Sequence, residues 1–323
     1  MVHAIRVHQA GGPEVLSWEE VEIGDPGPGQ VRLRQHAVGL NYIDVYHRTG
    51  LYPQPVPFTP GTEGAGVIEA VGPDVTSLGP GDRVAYAGPI GGYAEARLID
   101  ADRLVKLPDD ISFEQAAAMM LQGMTVRMLL KGVRELKSGE TILVHAAAGG
   151  VGLILCQWAA AIGATVIGTV STDEKAKLAQ AHGCHHVIVY TRQDFVAEVD
   201  RIISGAKLPV VYDSVGHDTF LKSLDCLRPR GLMVNFGNAS GPADPISPNL
   251  LAQKGSLFLT RPTLFHYIAT RDELEQSASD LFEMVRSGKV NVEVAQRYAL
   301  KDVAEAHRDL EARKTTGSTI LTV

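Results

Sequence analysis

The 323-residue sequence predicts an α/β protein in which a β-rich region precedes a doubly wound parallel sheet. Two observations predict this class. Short strand-like runs separated by glycine and proline turns fill the first third of the chain, and longer apolar strand-like runs alternate with helical segments in the middle. The length exceeds what one hydrophobic core usually supports, so we expect two domains.

The first 120 or so residues have the pattern of an all-β module. Turns at 11–13, 25–29, 72–75 and 79–82 separate runs such as VRLRQHAVGL and GAGVIEAVG. Helical periodicity is weak until ISFEQAAAMM, at 111–120. We therefore expect β structure up to that point.

The middle region opens with TILVHAAAGGVG at 141–152, where a β-branched run breaks into small residues and leads into an apolar helix beginning near Gly150. Small residues let the backbone turn tightly, approach a diphosphate and pack a helix against a strand. This pattern predicts a dinucleotide-binding turn, with Ala147 in place of the first fingerprint glycine. The residues expected to contact the cofactor here are Ala147, Gly149, Gly150, Val151 and Gly152.

Five further strand-like runs follow this turn. They lie at 165–170, 186–190, 209–215, 231–237 and 256–260. Because ligands of such sheets bind beyond the carboxyl ends of parallel strands, residues at or just beyond those ends are candidates for cofactor contacts. The candidates are Ser214, Phe236, Gly237, Asn238 and Arg261.

After residue 262 the pattern changes. Segments 271–288 and 300–313 are typical of amphipathic helices, and the final STILTV is typical of a strand that returns to the first region. We expect a catalytic domain at 1–123, a nucleotide domain at 124–262 and a returning segment at 263–323.

Composition narrows the partners. A formal net charge of −7 gives no electrostatic reason to expect nucleic acid as the main ligand, so a small molecule is favoured. No stretch approaches the roughly 18 apolar residues of a membrane span, and no signal-peptide pattern opens the chain. Three widely spaced cysteines are expected to be reduced thiols of a cytoplasmic protein. HGCHH, at 182–186, is interpreted as a helix end rather than a metal site.

The order of these segments resembles the medium-chain dehydrogenase/reductase superfamily, in which a GroES-like β domain is followed by a Rossmann dinucleotide-binding domain. More narrowly, the chain resembles its NADPH-dependent quinone oxidoreductase branch, the zeta-crystallin relatives. The motifs that carry this resemblance are GGPEVL (11–16), NYIDVYHRTGLYP (41–53), GTEGAGVIEAVG (61–72), HAAAGGVG (145–152), VVYDSVG (210–216) and RPTL (261–264).

The chain departs from the zinc alcohol dehydrogenases of that superfamily. Where they carry Gly-His-Glu, this sequence has Gly61, Thr62 and Glu63, and no cysteine precedes Cys156. The usual thiolate ligands of a catalytic zinc are therefore missing. We expect a zinc-free reductase, since an electron-poor quinone accepts electrons without a Lewis acid.

The end of the second strand of the nucleotide domain indicates the cofactor. A site specific for NAD usually places an acidic residue there, whereas this strand ends at Ser171, which can donate to a phosphate. Asp173 and Glu174 argue mildly against a phosphate, although acidic residues are common in a helix's first turn. The resemblance implies that Lys175, Tyr190 and Arg313 hold the 2′-phosphate, so NADPH is expected.

The resemblance places residues 41–46 at the nicotinamide end of the cleft. Asn41, Tyr46 and Tyr52 are the candidate catalytic residues, because an amide and phenols can hydrogen-bond a quinone carbonyl. An equally open interpretation is a β-domain loop whose aromatic residues cover the core. The resemblance adds Tyr42, Ile43, Asp44 and Thr125 as contacts to the cofactor.

Three functions stay open on sequence grounds. The first is an NADPH:quinone reductase that transfers a hydride or single electrons, and the second is an NADPH-dependent reductase of α,β-unsaturated carbonyls. The third is a non-catalytic NADPH-binding or RNA-binding protein. We also expect a homodimer, in which the sheet around 232–241 and 255–262 continues across a twofold axis.

Overall fold

The computed structural model describes residues 1–323. The chain folds into two compact units, of which the first comprises Met1–Met124, Ile268–Leu281 and Val292–Val323, and the second Thr125–Tyr267 and Phe282–Asn291. The strands are β1 (Val2–Arg6), β2 (Ser17–Val21), β3 (Gln30–Leu40), β4 (Glu63–Val71), β5 (Arg83–Ala87), β6 (Ala96–Asp100), β7 (Val105–Lys106), β8 (Thr141–Val144), β9 (Thr165–Val170), β10 (His186–Val189), β11 (Leu208–Asp213), β12 (Leu227–Asn235), β13 (Phe258–Thr260), β14 (Val294–Ala299) and β15 (Ser318–Thr322).

The helices are α1 (Tyr42–Thr49), α2 (Phe113–Ala117), α3 (Met120–Arg127), α4 (Gly150–Ile162), α5 (Asp173–Ala181), α6 (Phe195–Ile202), α7 (Phe220–Ser223), α8 (Pro248–Gln253), α9 (Arg271–Arg286) and α10 (Val303–Glu311). Both amphipathic helices expected after residue 262 are confirmed, as α9 and α10. None of the ten has the length and apolar composition needed to cross a bilayer.

The first unit is built on a seven-stranded sheet. Its order is β14-β15-β3-β4-β5-β7, with β6 also paired to β3, and β1 and β2 form a separate antiparallel pair. The C-terminal strand β15 runs antiparallel to β3, with Leu321 opposite Val38. One buried cluster against this sheet includes Val31, Leu33 and Ile68.

The expectation of an all-β first region is wrong at α1. Asn41 caps this helix: its backbone carbonyl oxygen accepts from the Asp44 N–H, the Asp44 side chain accepts from the Asn41 backbone N–H, and Gly50 ends it with φ 80°. An Asn followed three residues later by an Asp, and a left-handed glycine, are helix boundary signals. At eight residues the helix is too short for its periodicity to stand out, so the boundaries were the better signal.

The second unit confirms the doubly wound prediction. Its six strands are all parallel, in the order β10-β9-β8-β11-β12-β13. Every apolar run identified in the sequence overlaps one of these strands. The order reverses between β8 and β11, and a sheet of this kind binds ligands at that reversal, beyond the carboxyl ends of its strands.

Candidate active site

The turn between β8 and α4 presents unpaired backbone donors. Gly149 precedes the helix and its first residue is Gly150, with no side chain capping the end. The first N–H groups of a helix lack partners within it, and the helix dipole adds positive potential there. The N–H groups of Gly150, Val151 and Gly152 therefore form an anion-binding end suited to a diphosphate.

Glycine is required at 152 by a close backbone approach. A Cβ atom at Gly152 would lie 2.3 Å from the carbonyl oxygen of Ala146. Ala147 is tolerated at the first fingerprint position because Gly168 on β9 leaves room for its methyl group. A Cβ atom at Gly168 would lie 2.6 Å from the Cβ of Ala147. Sequence reasoning missed Gly168, since its partner is 21 residues away in the chain.

A buried histidine braces this turn. His145 lies 2.8 Å through Nδ1 from the Thr169 hydroxyl and 2.8 Å through Nε2 from the Ser223 hydroxyl. Ser223 donates its own proton to the carbonyl oxygen of Thr219, so it must accept from Nε2–H, and Thr169 donates to Nδ1. Burial lowers the pKa of His145, which keeps the ring neutral. The histidine thus ties the end of β8 to β9 and α7, a role that sequence reasoning missed.

Three residues predicted to recognise the 2′-phosphate lie in the second unit, at the carboxyl edge of two adjacent strands. Ser171 follows β9, Lys175 lies in the first turn of α5, and Tyr190 follows β10 with its side chain exposed. The Tyr190 N–H donates to the carbonyl oxygen of Val170, which joins the two strand ends. Since β9 and β10 are parallel neighbours, these residues share one edge.

The acidic residue that argued against a phosphate is paired. Asp173 accepts from Arg192, with 2.7 Å between Oδ2 and Nη1, and this pairing lowers the pKa of Asp173. The arginine cation offsets the negative charge that Asp173 would direct at a phosphate. Arg192 was missed in the sequence because its partner lies on another element.

The candidates at the ends of β11 to β13 come together. A Cβ atom at Gly237 would lie 2.4 Å from the Ser214 carbonyl oxygen, so only glycine allows this approach. The Phe236 N–H donates to the Asp213 carbonyl, and the Arg261 Nη1 donates to the Asn235 carbonyl over 3.2 Å. Asn238 follows directly and is partly buried.

In the first unit, α1 gathers the predicted tyrosines. The rings of Tyr46 and Tyr52 are 5.2 Å apart in an edge-to-face arrangement, and those of Tyr42 and Tyr46 are 6.1 Å apart. The Tyr42 hydroxyl donates to the Leu310 carbonyl, and Ile43 is partly buried beside it in sequence. These contacts are compatible with either interpretation, so the catalytic roles of Tyr46 and Tyr52 stay predictions.

The side chain of Asn41 is held at both ends of its amide. Nδ2 donates to Oε2 of Glu63 over 2.7 Å, and Oδ1 accepts from Nε2 of Gln122 over 3.2 Å. Asn41 is 8% exposed, and Glu63 is completely buried. Burial raises the pKa of Glu63 to about 8. Sequence reasoning considered Glu63 only for a zinc site and missed Gln122.

Asp44 is also completely buried and supports the start of α1. Its Oδ2 accepts from the Asn41 backbone N–H and from the Tyr93 hydroxyl, each over 2.9 Å, and its Oδ1 accepts from the Thr62 hydroxyl. Burial raises the pKa of Asp44 to about 7. These bonds occupy the carboxylate, and a direct contact between Asp44 and a cofactor stays a prediction.

The Asp44 hydrogen bonds continue through the first unit. His307 lies 3.2 Å through Nε2 from the Tyr93 hydroxyl and 2.9 Å through Nδ1 from Nη1 of Arg48. Because arginine only donates, Nδ1 accepts and Nε2 carries the proton, so Tyr93 accepts from His307 and donates to Asp44. Arg48 is 1% exposed and pairs with Glu311.

Two predicted site residues lie outside these groups. Thr125 is partly buried within α3, and Arg313 is exposed two residues after the end of α10, with φ 59°. Arg313 belongs to the first unit, whereas Lys175 and Tyr190 belong to the second. Their grouping around one phosphate stays a prediction.

Metal-ligating side chains do not cluster anywhere in the chain, since no three His, Cys, Asp or Glu residues are placed to hold an ion. Thr62 and Glu63 instead bond Asp44 and Asn41. In the segment 182–186, Nδ1 of His185 accepts from the Val166 N–H and Cys184 is buried.

Parts of the chain match two known protein families, and the whole chain is similar to known enzymes. Residues 27–109 match the alcohol dehydrogenase GroES-like domain, and residues 150–284 match the zinc-binding dehydrogenase family. The quinone oxidoreductase of Pseudomonas aeruginosa is 52% identical, with 99% of each chain covered. The 2-haloacrylate reductase of a Burkholderia species is 47% identical, again with 99% of each chain covered. The crystal structure of Escherichia coli quinone oxidoreductase complexed with NADPH has a TM-score of 0.98 at 49% identity, covering 99% of this chain and 100% of that one.

Proposed function

The chain belongs to the quinone oxidoreductase family, and we propose that it is an NADPH-dependent enzyme that reduces a small-molecule quinone. One observation carries the proposal: relatives about half identical over the whole chain are quinone oxidoreductases, and one of them is solved with NADPH. The glycine turn fits that cofactor, because its free N–H groups and its Gly152 approach suit a diphosphate.

Bound NADPH supplies the reducing electrons, as a hydride or singly, and the protein holds and orients it. The N–H groups of Gly150, Val151 and Gly152 bind the diphosphate. Cations and hydroxyls bind the 2′-phosphate, and the Asp173–Arg192 pair keeps the nearby acid from repelling it. The phosphate residues in this proposal are Ser171, Lys175, Tyr190 and Arg313.

The remaining predicted contacts orient the nicotinamide half. Ser214, Gly237 and Arg261 lie at the carboxyl ends of the strands beyond the reversal of strand order, where this sheet binds ligands. The other residues assigned to this half are Phe236, Asn238, Thr125, Tyr42, Ile43 and Asp44.

The quinone site is assigned to Asn41, Tyr46 and Tyr52. A quinone gains negative charge on its carbonyl oxygen during reduction, and preorganised donors stabilise that charge most strongly away from water. The Asn41 amide is fixed by two hydrogen bonds, and the two tyrosine rings pack on each other. These constraints give the site its preorganisation.

The test is NADPH oxidation by metal-free protein with matched panels of ortho-quinones, para-quinones and α,β-unsaturated carbonyls. Turnover with quinones, unchanged by chelator, is expected. Tight NADPH binding without turnover of any panel member would contradict an enzymatic role.

A second candidate is reduction of α,β-unsaturated carbonyls, which the similarity to the 2-haloacrylate reductase favours. The same assay separates the two functions. Turnover of the unsaturated carbonyls alone would replace the quinone proposal with this one.

We further propose a homodimer formed through the free edge of the six-stranded sheet. Strand β13 pairs only with β12, and its Phe258 and Leu259 side chains are 61% and 38% exposed. An apolar edge strand of this kind is a template for pairing with a second copy. Phe258→Glu should yield a monomer in analytical ultracentrifugation, and a monomeric wild-type chain would contradict the proposal.

A cytoplasmic location is supported by three unpaired cysteines.

A further inference from the structure

The carboxylate of Glu63 is a buried group that the proposed reaction does not use directly. It lies at the start of β4, where Oε1 accepts from the Leu121 backbone N–H and Oε2 accepts from Asn41 Nδ2, each over 2.7 Å. The Leu121 N–H can only donate, so Oε1 must accept. Whether the Asn41 amide donates to Glu63 or accepts from it therefore depends only on whether Oε2 carries a proton.

A chain of hydrogen bonds leads away from Asn41 on its other side. Gln122 donates through Nε2 to Oδ1 of Asn41, and its Oε1 accepts from the Ser318 hydroxyl over 2.7 Å. When Oε2 of Glu63 is an acceptor, the amides of Asn41 and Gln122 and the hydroxyl of Ser318 each have a single orientation. If Oε2 carried a proton, the same positions could be satisfied with both amides reversed and the Ser318 oxygen accepting.

The surroundings hold Glu63 in place. A Cβ atom at Gly39 would lie 2.3 Å from Oε2 and 2.2 Å from the Ala117 carbonyl oxygen, so that side is closed. The backbone of Asn41 is held separately by Asp44. The Asn41 amide can therefore turn over in place, but its backbone stays fixed.

We propose that Glu63 is a positioning residue: as an ionised carboxylate it draws one N–H of the Asn41 amide and leaves the other directed at the reducible carbonyl of the substrate. This inference rests on the proposed function, because it requires Asn41 to contact the quinone. With the amide reversed, oxygen and nitrogen exchange places, and the donor no longer points along the same line.

The titration of Glu63 gives this role a signature. Its pKa, raised to about 8 by burial, lies within an assayable range. The groups facing it are Asp44 on α1, which raises its pKa further, Tyr86 on β5 and Tyr93. Both tyrosines have raised pKa values and stay neutral there, so Asp44 is the one neighbour whose titration must be separated.

The experiment measures kcat and KM for one para-quinone from pH 6 to 9, with the NADPH Kd from fluorescence titration. Glu63→Gln is the central variant, because the Leu121 N–H holds the amide oxygen and leaves its NH2 facing Asn41, as a protonated Glu63 would. The expected result is a kcat about tenfold lower at pH 9, smaller than the loss of about 100-fold on removing an oxyanion donor outright. The NADPH Kd should stay within about twofold.

The pH profile supplies the decisive comparison. Wild-type kcat should rise through pH 8, and Glu63→Gln should be flat there, whereas Asp44→Asn should keep the rise but shift it to lower pH, because Asp44 raises the pKa of Glu63. Glu69→Gln, on the same strand but in a surface ion pair with Arg34, is the matched control and should behave as wild type. Gln122→Glu replaces the donor that faces Oδ1 of Asn41 with an acceptor, which favours the reversed amide, and it should therefore lower kcat. This test does not depend on whether Glu63→Gln folds well.

A double-mutant cycle with Asn41→Ala separates the possible failures. If Glu63 acts through Asn41, Glu63→Gln should change kcat little in the Asn41→Ala background. An equal loss in both backgrounds, or a rise through pH 8 that persists in Glu63→Gln, would overturn the positioning role. If Asn41→Ala itself leaves kcat unchanged, the proposed quinone site fails, whatever Glu63 does.

Discussion

The two regions proposed to bind ligands, the turn after β8 and the hydrogen-bond network around α1, are built in different ways. The turn of the second unit offers backbone N–H groups and close approaches at Gly152 and Gly237. The network of the first unit is built from buried side chains that titrate, including Asp44, Glu63 and His307. A backbone site is insensitive to pH and intolerant of a Cβ atom, whereas a side-chain network responds to pH and to single polar substitutions.

The largest expected effect is on NADPH binding, when a side chain is introduced into the glycine turn. Gly152→Ala places a methyl group 2.3 Å from the Ala146 carbonyl oxygen and 2.8 Å from the Ala147 backbone, and these backbone atoms cannot move away as a flexible side chain could. We expect NADPH binding to weaken by at least about 100-fold, as measured by fluorescence titration. Gly79→Ala is the control, since its Cβ would meet nothing within 4 Å and should leave the Kd unchanged. Equal affinities for the two variants would show that the turn does not hold the cofactor.

The second largest expected effect is on the preference for NADPH over NADH. Lys175→Ala should lower the NADPH/NADH ratio of kcat/KM by about 10- to 100-fold, because a charge-assisted bond to the 2′-phosphate is lost. The measurement is steady-state kinetics with each cofactor, with Lys177→Ala on the same helix as control. A ratio that does not change in Lys175→Ala would remove this residue from the phosphate site.

The pH dependence of stability tests the side-chain network. Asp44 and Glu63 have folded-state pKa values raised to about 7 and about 8, so the folded state binds more protons than the unfolded state between pH 4 and these values. Their contribution is therefore present at low pH and lost as pH rises. The pKa values of His47 and His307 are lowered to about 4 and about 3, and their opposite contribution is complete above about pH 6.5.

Between pH 6.5 and 8.5 the two carboxyls consequently dominate, and the free energy of unfolding should fall as pH rises. The slope is at most about 1.4 kcal/mol per pH unit for each titrating group. Urea denaturation at several pH values measures it, and Glu63→Gln should flatten the upper part of the curve. Stability that rises over this interval in the wild type would contradict the assignment.

The smallest expected effect concerns the Asp173–Arg192 ion pair, which lies beside the residues proposed to bind the 2′-phosphate. Arg192→Ala removes the ion-pair partner of Asp173, so the NADPH Kd should rise by several-fold while the NADH Kd changes less. Adding Asp173→Asn should restore NADPH affinity. If the double variant binds as weakly as Arg192→Ala, the arginine contributes in another way than by opposing Asp173.

The two regions also differ in how far the sequence predicts them. The strand, glycine turn and helix at 141–162 were predicted because a close backbone approach admits few residue types, which leaves a local pattern. Around α1, the bonds join residues far apart in the chain: Asn41 and Glu63 are separated by 22 positions, and Arg48 and Glu311 by 263. No local spacing indicates such pairs. Helix α1 was not predicted either, although its capping residues Asn41 and Asp44 are a local signal.

The sequence by itself determined the alternation of strands and helices, the glycine turn and the resemblance to quinone oxidoreductases. These depend on periodicity and on backbone requirements, which act over a few neighbouring residues. Only the tertiary structure decided that Gly168 makes room for Ala147, that Arg192 offsets Asp173, and that Glu63 holds Asn41. Burial and charge pairing depend on which distant residues the fold brings together, so both the raised pKa of Glu63 and its partner had to be read from the folded chain.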